Sequence, residues 1–236
     1  YRTRCGLEIT RTIFLLPYEE GYPLATEAQA ITIENRGHRG RKLRLVYTGM
    51  FGAAAPGALH EDVIFTNVSM QSRVIKNADG SVAAISADYN SSWNRQDVRF
   101  HTMMAHQDGK VIFPTEFCTS YNEFVGEGTL ERPDGLSRLS NKLARKGPGF
   151  FALAANLDIP PRGTIRIDNF TGLVSGRVDD QHGEESLEHE LSRLIDRYSV
   201  DGEVDRALAR NREFLARYSR YLKVRSGDAL FDGYVN

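Results

Sequence analysis

The sequence predicts a mainly β fold, a large antiparallel β-sandwich followed by two α-helices. Three observations carry that reading. Apolar and polar residues alternate with period two in successive stretches between residues 4 and 174. Turn signals built on glycine, proline, asparagine and aspartate recur between the alternating stretches. After Gly183 the apolar period changes to that of a helix. With 236 residues the chain suits one large all-β domain or two small ones, and it can bury a sizeable core.

The first strand is read over Arg4 to Leu16, where Cys5, Leu7, Ile9, Ile13 and Leu15 alternate with charged or hydroxyl neighbours. Ala28 to Asn35 repeats the pattern. NRGHRGRK then supplies two glycines and several cations before LRLVYTGMF resumes strand character, which reads as a hairpin loop between antiparallel partners. Further strands are expected at 62–68, 72–77, 82–88, 97–105 and 110–113. Asn77 to Gly80 and Gln107 to Gly109 each place a glycine where a tight turn needs positive φ. Two late strands, Phe150 to Ile159 and Thr164 to Val174, flank Pro160-Pro-Arg-Gly163, where proline excludes ladder pairing. Roughly ten strands at this spacing imply a sandwich rather than a small barrel.

Residues 119–149 break the alternation with Gly126, Gly128, Pro133, Gly135, Gly147 and Pro148. A connection of that length in a β domain is functional or packs on another part of the molecule. In the helical region Leu187, Leu191, Leu194, Ile195 and Tyr198 share one face, and the first helix ends near Ser199. Asp201 is placed to cap a second helix with the stripe Val204, Leu208, Leu215, Tyr218 and Leu222, interrupted by Asn211. Two such helices cannot bury both stripes against each other alone, so they are expected to pack on the sandwich or on further sequence. The organisation expected is a sandwich over 1–178, a helical linker over 179–222, and the start of another domain from 223 to 236.

Charge and cysteine content restrict the function classes. Thirty Lys+Arg against 31 Asp+Glu, net −1, give no basic field for nucleic acid or anionic lipid. Cys5 and Cys118 make neither a disulfide framework nor a four-ligand zinc site. No apolar run reaches the ~20 residues of a spanning helix, and YRTRCGLEIT lacks the apolar core of a signal peptide. The expectation is a cytoplasmic protein with no nucleic-acid or membrane partner. Asn67, Asn90 and Asn169 begin Asn-x-Ser/Thr triplets, which in the absence of an export signal are read as chance.

Candidate site residues carry a bland reading beside the sharp one. Trp93, the sole tryptophan, lies in NSSWNRQD, where its indole suits stacking on a sugar ring beside Arg95 and Asp97, or packing down as a loop anchor. Tyr89 and Asn90 share that loop. His101 and His106 sit five apart, so on a strand they face opposite ways and are read as core or surface histidines, not a metal pair. His182, Glu185 and His189 read as a solvated helix face. Asp88, Asp97, Glu116, Glu123 and Glu127 include possible acid–base partners for a glycosidase but are equally ordinary surface carboxylates. Gly126-Glu-Gly128 is too short for a phosphate cradle. Arg36, His38, Arg39, Arg41 and Lys42 read as a soluble loop tip.

Four segments together carry a family resemblance. AITIENRGHRGRKLRLVYTGMF, TSYNEFVGEG, FFALAANLDIPPRGTIRIDNFTG and YLKVRSGDALFDGYVN, in this order, resemble the N-terminal region of glycoside hydrolase family 94 phosphorylases of the cellobiose and 1,2-β-oligoglucan type. The resemblance covers most of the chain. It implies a supersandwich-like domain and helical linker ahead of a catalytic (α/α)6 barrel that begins around KVRSGDALFDGYVN. It also implies inverting phosphorolysis of a β-glucoside to glucose 1-phosphate. Inorganic phosphate is the co-substrate and no other cofactor is needed, while the catalytic residues lie beyond this chain. The segment alone is then inactive, with the barrel, a β-glucan oligosaccharide and a second copy in a homodimer as its partners. Trp93, Arg95, Tyr121 and Glu123 are the substrate-contact candidates, with no catalytic or metal-binding residue. The loop departs from the family pattern in carrying Tyr121, Asn122 and Glu123 where an arginine is expected ahead of the phenylalanine, so it does not define the substrate. The other reading is a stand-alone carbohydrate-binding sandwich or glycosidase.

Overall fold

The computed structural model describes residues 1–51, 70–89, 98–147, 149–174, 183–218 and 225–235. Within them the period-two alternation becomes ten strands: β1 (Leu7–Leu15), β2 (Ala25–Asn35), β3 (Arg41–Met50), β4 (Met70–Lys76), β5 (Val82–Tyr89), β6 (Arg99–Gln107), β7 (Lys110–Ile112), β8 (Glu116–Cys118), β9 (Phe150–Ile159) and β10 (Thr164–Leu173). They form two sheets. The larger runs β1-β2-β10-β6-β5-β4 with β7 paired to β6, and the smaller runs β3-β9-β8. Each pairing is antiparallel. The expected strand at 62–68 lies outside the described residues.

Alternation assigns the layers. On β2, Ile31 and Ile33 face the smaller sheet and join Met103, Ile165, Ile167, Leu153 and Leu157 in the inter-sheet core. Ala28 and Ala30, one residue out of step, face the other way with Phe100, Met104 and Phe170. The large sheet is therefore buried on both faces, and a one-residue slip of β2 would exchange the two sets. Gly49 on β3 leaves room for the ring of its cross-strand partner Phe151 on β9, because a Cβ there would stand 2.7 Å from that ring.

The turns split into two kinds. Asn77 to Gly80 closes the β4–β5 hairpin, and Asp108 and Gly109, at φ 51° and 73°, close β6–β7 as expected of a two-residue turn. NRGHRGRK is not a hairpin: β2 and β3 lie in different sheets, so the loop arches across the sandwich. Pro160 to Gly163 is a second arch, from β9 to β10. Asn35, fully buried, ties the two together. Its amide donates to Arg39 O at 2.8 Å and Pro160 O at 3.0 Å, while its Oδ1 accepts from Gly37 N at 3.0 Å. Loop composition alone does not separate an arch from a hairpin, since both need glycine and exposed polar residues.

Helices cover the outer face of the large sheet. α2 (Gly183–Tyr198) and α3 (Glu203–Tyr218) follow α1 (Tyr121–Val125), and α4 (Ala229–Val235) comes last. Leu191, Leu194, Ile195 and Tyr198 of α2 pack on Phe100, Met104 and Phe170, each large apolar side chain contributing roughly 1.5–3 kcal/mol. α3 starts at Glu203, two residues past the expected Asp201 cap. Of its predicted stripe, Val204 is buried, Leu208 is half-buried and Leu215 is 57% exposed, while the side chains of Tyr218 and Leu222 lie outside the described residues. Beside the stripe, Ala207 is buried and Phe214 is 50% exposed. The helix crosses β1, the edge strand among the described residues, where Asn211 Nδ2 donates to Leu15 O at 2.7 Å, and no described strand lies past that edge.

Candidate functional site

Of residues 119–149, expected to be functional or to dock elsewhere, the described part docks on the outer face of the small sheet through Phe124 and Leu139. Ser120 caps α1, its Oγ accepting from Glu123 N, and Phe124 drops into a cluster with Leu139, Phe150, Ala152 and Ala154. Tyr121 sits half-buried, edge-on to Phe150 at 5.7 Å between ring centroids. A charged clamp holds the segment down. Arg44 on β3 forms a two-pronged pair with Glu116 on β8 at 2.7 and 2.9 Å and donates from Nε to Leu136 O at 2.9 Å. Glu116 in turn accepts from Leu139 N at 2.9 Å. The Arg44 hydrogen bond, with Leu139 N–H, holds the Glu116 carboxyl below its ordinary range. Arg44→Ala should cost about 2 kcal/mol in urea denaturation and open 126–147 to protease, as expected for hydrogen bonds to a charged partner. Unchanged cleavage would mean that the apolar contacts alone hold the loop.

Of the predicted contact residues, Tyr121 and Glu123 come together on α1, while Trp93 and Arg95 lie outside the described residues. Glu123 is exposed and pairs with Lys142 at 3.1 Å. Bonds from Ser140 and Lys142 hold its carboxyl below the ordinary range. Glu116 and Glu123 are thus stabilised as anions, the opposite of what a general acid requires. His101 and His106 do face opposite sides: His101 is buried between the sheets, and His106 Nε2 lies 3.4 Å from Asp168 on the helix side. His189 is exposed on α2. Among the described residues no three His, Cys, Asp or Glu side chains gather in a metal-binding group. No helix among them is long and apolar enough to cross a membrane.

The second built feature is the mount that joins the helices to the sandwich. In the β1–β2 loop Tyr22 lies under the guanidinium groups of Arg193 and Arg197, whose Cζ atoms stand 4.7 and 5.3 Å from its ring centroid. Arg197 also pairs with Glu19 at 2.6 Å and reaches Glu203 of α3 at 3.6 Å. On the far side, Arg166 of β10 bridges buried Asp168 at 2.7 Å and Asp205 of α3 at 3.2 Å. Burial pushes the Asp168 carboxyl up, against the pull of Arg166. Arg166, Asp168 and Arg197 were not singled out from sequence. The available signal was the charged pair Arg166 and Asp168 between the isoleucines of the strand TIRIDNF.

These mounts define a β-sandwich domain with a helix fixed to one sheet as part of its fold. The family model described as glycosyl hydrolase 94, supersandwich domain, matches residues 3–201, from the first strand to the end of the α2–α3 turn. The chain belongs to that family. No curated protein matches it.

Proposed function

We propose that this chain is the non-catalytic sandwich and linker region of an inverting glycoside phosphorylase acting on β-glucosides. The observation that carries the reading, beside family membership, is the run of α3 beyond edge strand β1. Phe214 and Leu215 stand half-exposed there, and Leu230 and Phe231 on α4 are 87% and 51% exposed. In this reading a catalytic barrel covers that surface, and the mount sets the direction in which the linker leaves the sandwich.

The proposed reaction replaces one bond at the anomeric carbon by another. Phosphate oxygen attacks C1 from the face opposite the leaving group, the C1–O glycosidic bond breaks, and a carboxylic acid delivers its proton to the departing sugar oxygen. Inversion converts the β-glucoside into α-glucose 1-phosphate. The acid and the phosphate-binding groups are assigned to the barrel. This chain braces it and shapes the substrate entrance, with Tyr121 and Glu123 on the docked loop, and Trp93 and Arg95, as candidate sugar contacts. A cytoplasmic location, a homodimer and inorganic phosphate as sole co-substrate belong to the same proposal.

Glucose 1-phosphate formation from cellobiose and sophorose in the presence of orthophosphate tests it. Activity is expected from a longer protein that includes the barrel and none from the 236 residues alone. Turnover by the chain itself would overturn the reading.

A further inference from the structure

Halfway along the sandwich, the inner face of the large sheet changes character. Where β2, β10 and β6 carry Ile31 and Ile33, Ile165 and Ile167, and Met103 and Ala105, the face is apolar. Toward the other end the same alternating positions become Glu27 and Gln29, Asn169 and Thr171, and Arg99 and His101. Strand register lines these up in rows, since Gln29 and Glu27 pair with Asn169 and Thr171, and Thr171 pairs with His101. A core built only for packing would continue the isoleucines.

These rows line one side of a cleft of about 480 Å³ between the sheets, walled by Glu27, Gln29, Arg99 and Thr171 on one side and by Tyr47 and Phe151 on the other. That volume is in the range of small-molecule sites. Beneath the cleft lies His101, fully buried and stacked on Tyr47 at 4.8 Å and Phe151 at 4.2 Å, with its Nδ1 2.7 Å from Thr171 Oγ1. Gln29 Nε2 donates to Glu27 Oε1 at 2.7 Å, which fixes both side chains. Behind this wall several polar groups have no internal use. Asn169 is 1% exposed, and among the described residues neither its Oδ1 nor its Nδ2 has a partner, with Gln29 Oε1 and His101 Nε2 likewise unpaired. Unpartnered buried polar groups weaken a fold, so their concentration behind one cleft points to a ligand.

We propose that this end of the sandwich binds a neutral saccharide of mono- to disaccharide size. Glu27, Gln29, Arg99 and Thr171 contact its hydroxyls, and Asn169 acts behind Gln29 as a positioning residue. The wall mixes acceptors, on Glu27 and Gln29, with donors, on Arg99 and Thr171. A hydroxyl both donates and accepts, so a polyol satisfies such a wall where an anion would face the Glu27 carboxylate. The aromatic side of the cleft suits the C–H faces of a pyranose ring.

Titration calorimetry and saturation-transfer NMR on the 236-residue chain, with D-glucose, D-galactose, cellobiose and sophorose as probes, test the proposal. Saturable binding by at least one sugar is expected. Glu27→Ala should weaken it about tenfold, the loss of one charged hydrogen bond. Asn169→Leu should raise the melting midpoint, by removing an unpaired amide, and weaken binding at the same time; a purely structural Asn169 would lower the midpoint instead. No saturable binding up to tens of millimolar of any probe would overturn the site, as would binding that both variants leave unchanged. The titration needs neither phosphate nor turnover, so it can fail while the phosphorolysis reading stands, and the reverse.

Discussion

Stability is expected to fall steeply as the pH drops below 6.5, and His101 is the group responsible. Burial lowers its pKa from 6.5 to about 3, because the stack with Tyr47 and Phe151 leaves no water around the ring. Between those values the unfolded chain binds a proton that the folded chain refuses. Stability therefore rises with pH across the window, by up to about 1.4 kcal/mol per pH unit, and the full swing is on the order of 4–5 kcal/mol. Small domains have only about 5–15 kcal/mol in total, so this one residue sets much of the acid limit. Urea denaturation at about pH 7, 6 and 5 should show wild-type stability dropping away from that of His101→Phe, which keeps a ring in the stack and cannot titrate. Parallel curves would mean that the imidazole takes up its proton without unfolding.

The second large effect is expected at the mount. Leu191 is 1% exposed, on the face of α2 that packs on the large sheet with Leu194, Ile195 and Tyr198. Leu191→Ala should destabilise the chain by about 3 kcal/mol, through lost burial and the cavity left behind. The loss should be unevenly distributed. Hydrogen exchange is expected to speed up in α2 and the first turns of α3, while β2, β6 and β10, buried between both layers, keep their protection. If exchange accelerates uniformly, α2 is part of one cooperative unit with the sandwich and cannot act as a separable arm. The family match, which ends at residue 201 after α2 and before α3, divides the helices at the same place.

Much of the fold was legible because local chemistry decides it. Alternation over Ala28 to Asn35 and Thr164 to Val174 marked strands, Asp108-Gly109 marked a tight turn, and the spacing of Leu191, Leu194, Ile195 and Tyr198 marked a helix with one apolar face. The three-residue β8 and the five-residue α1 escaped, since neither is long enough to display a period. Tyr121 and Glu123 were legible as candidates, but the sequence did not show that the Arg44–Glu116 clamp would seat their loop on the small sheet.

By itself the sequence determined that this protein is a sandwich with helices after it, which side of each strand is apolar, and the family to which it belongs. Period two states which residues share a face but not which strand lies beside them. Pairing is a long-range choice made by packing, and only the tertiary structure decided it. That choice turned NRGHRGRK and Pro160 to Gly163 into two arches latched by Asn35. It placed β2, β10 and β6 side by side, so that Glu27, Gln29, Asn169, Thr171, Arg99 and His101, scattered over more than a hundred residues, meet at one end of the core. It also carried α3 across an edge strand, where Phe214 and Leu215 are left half-exposed.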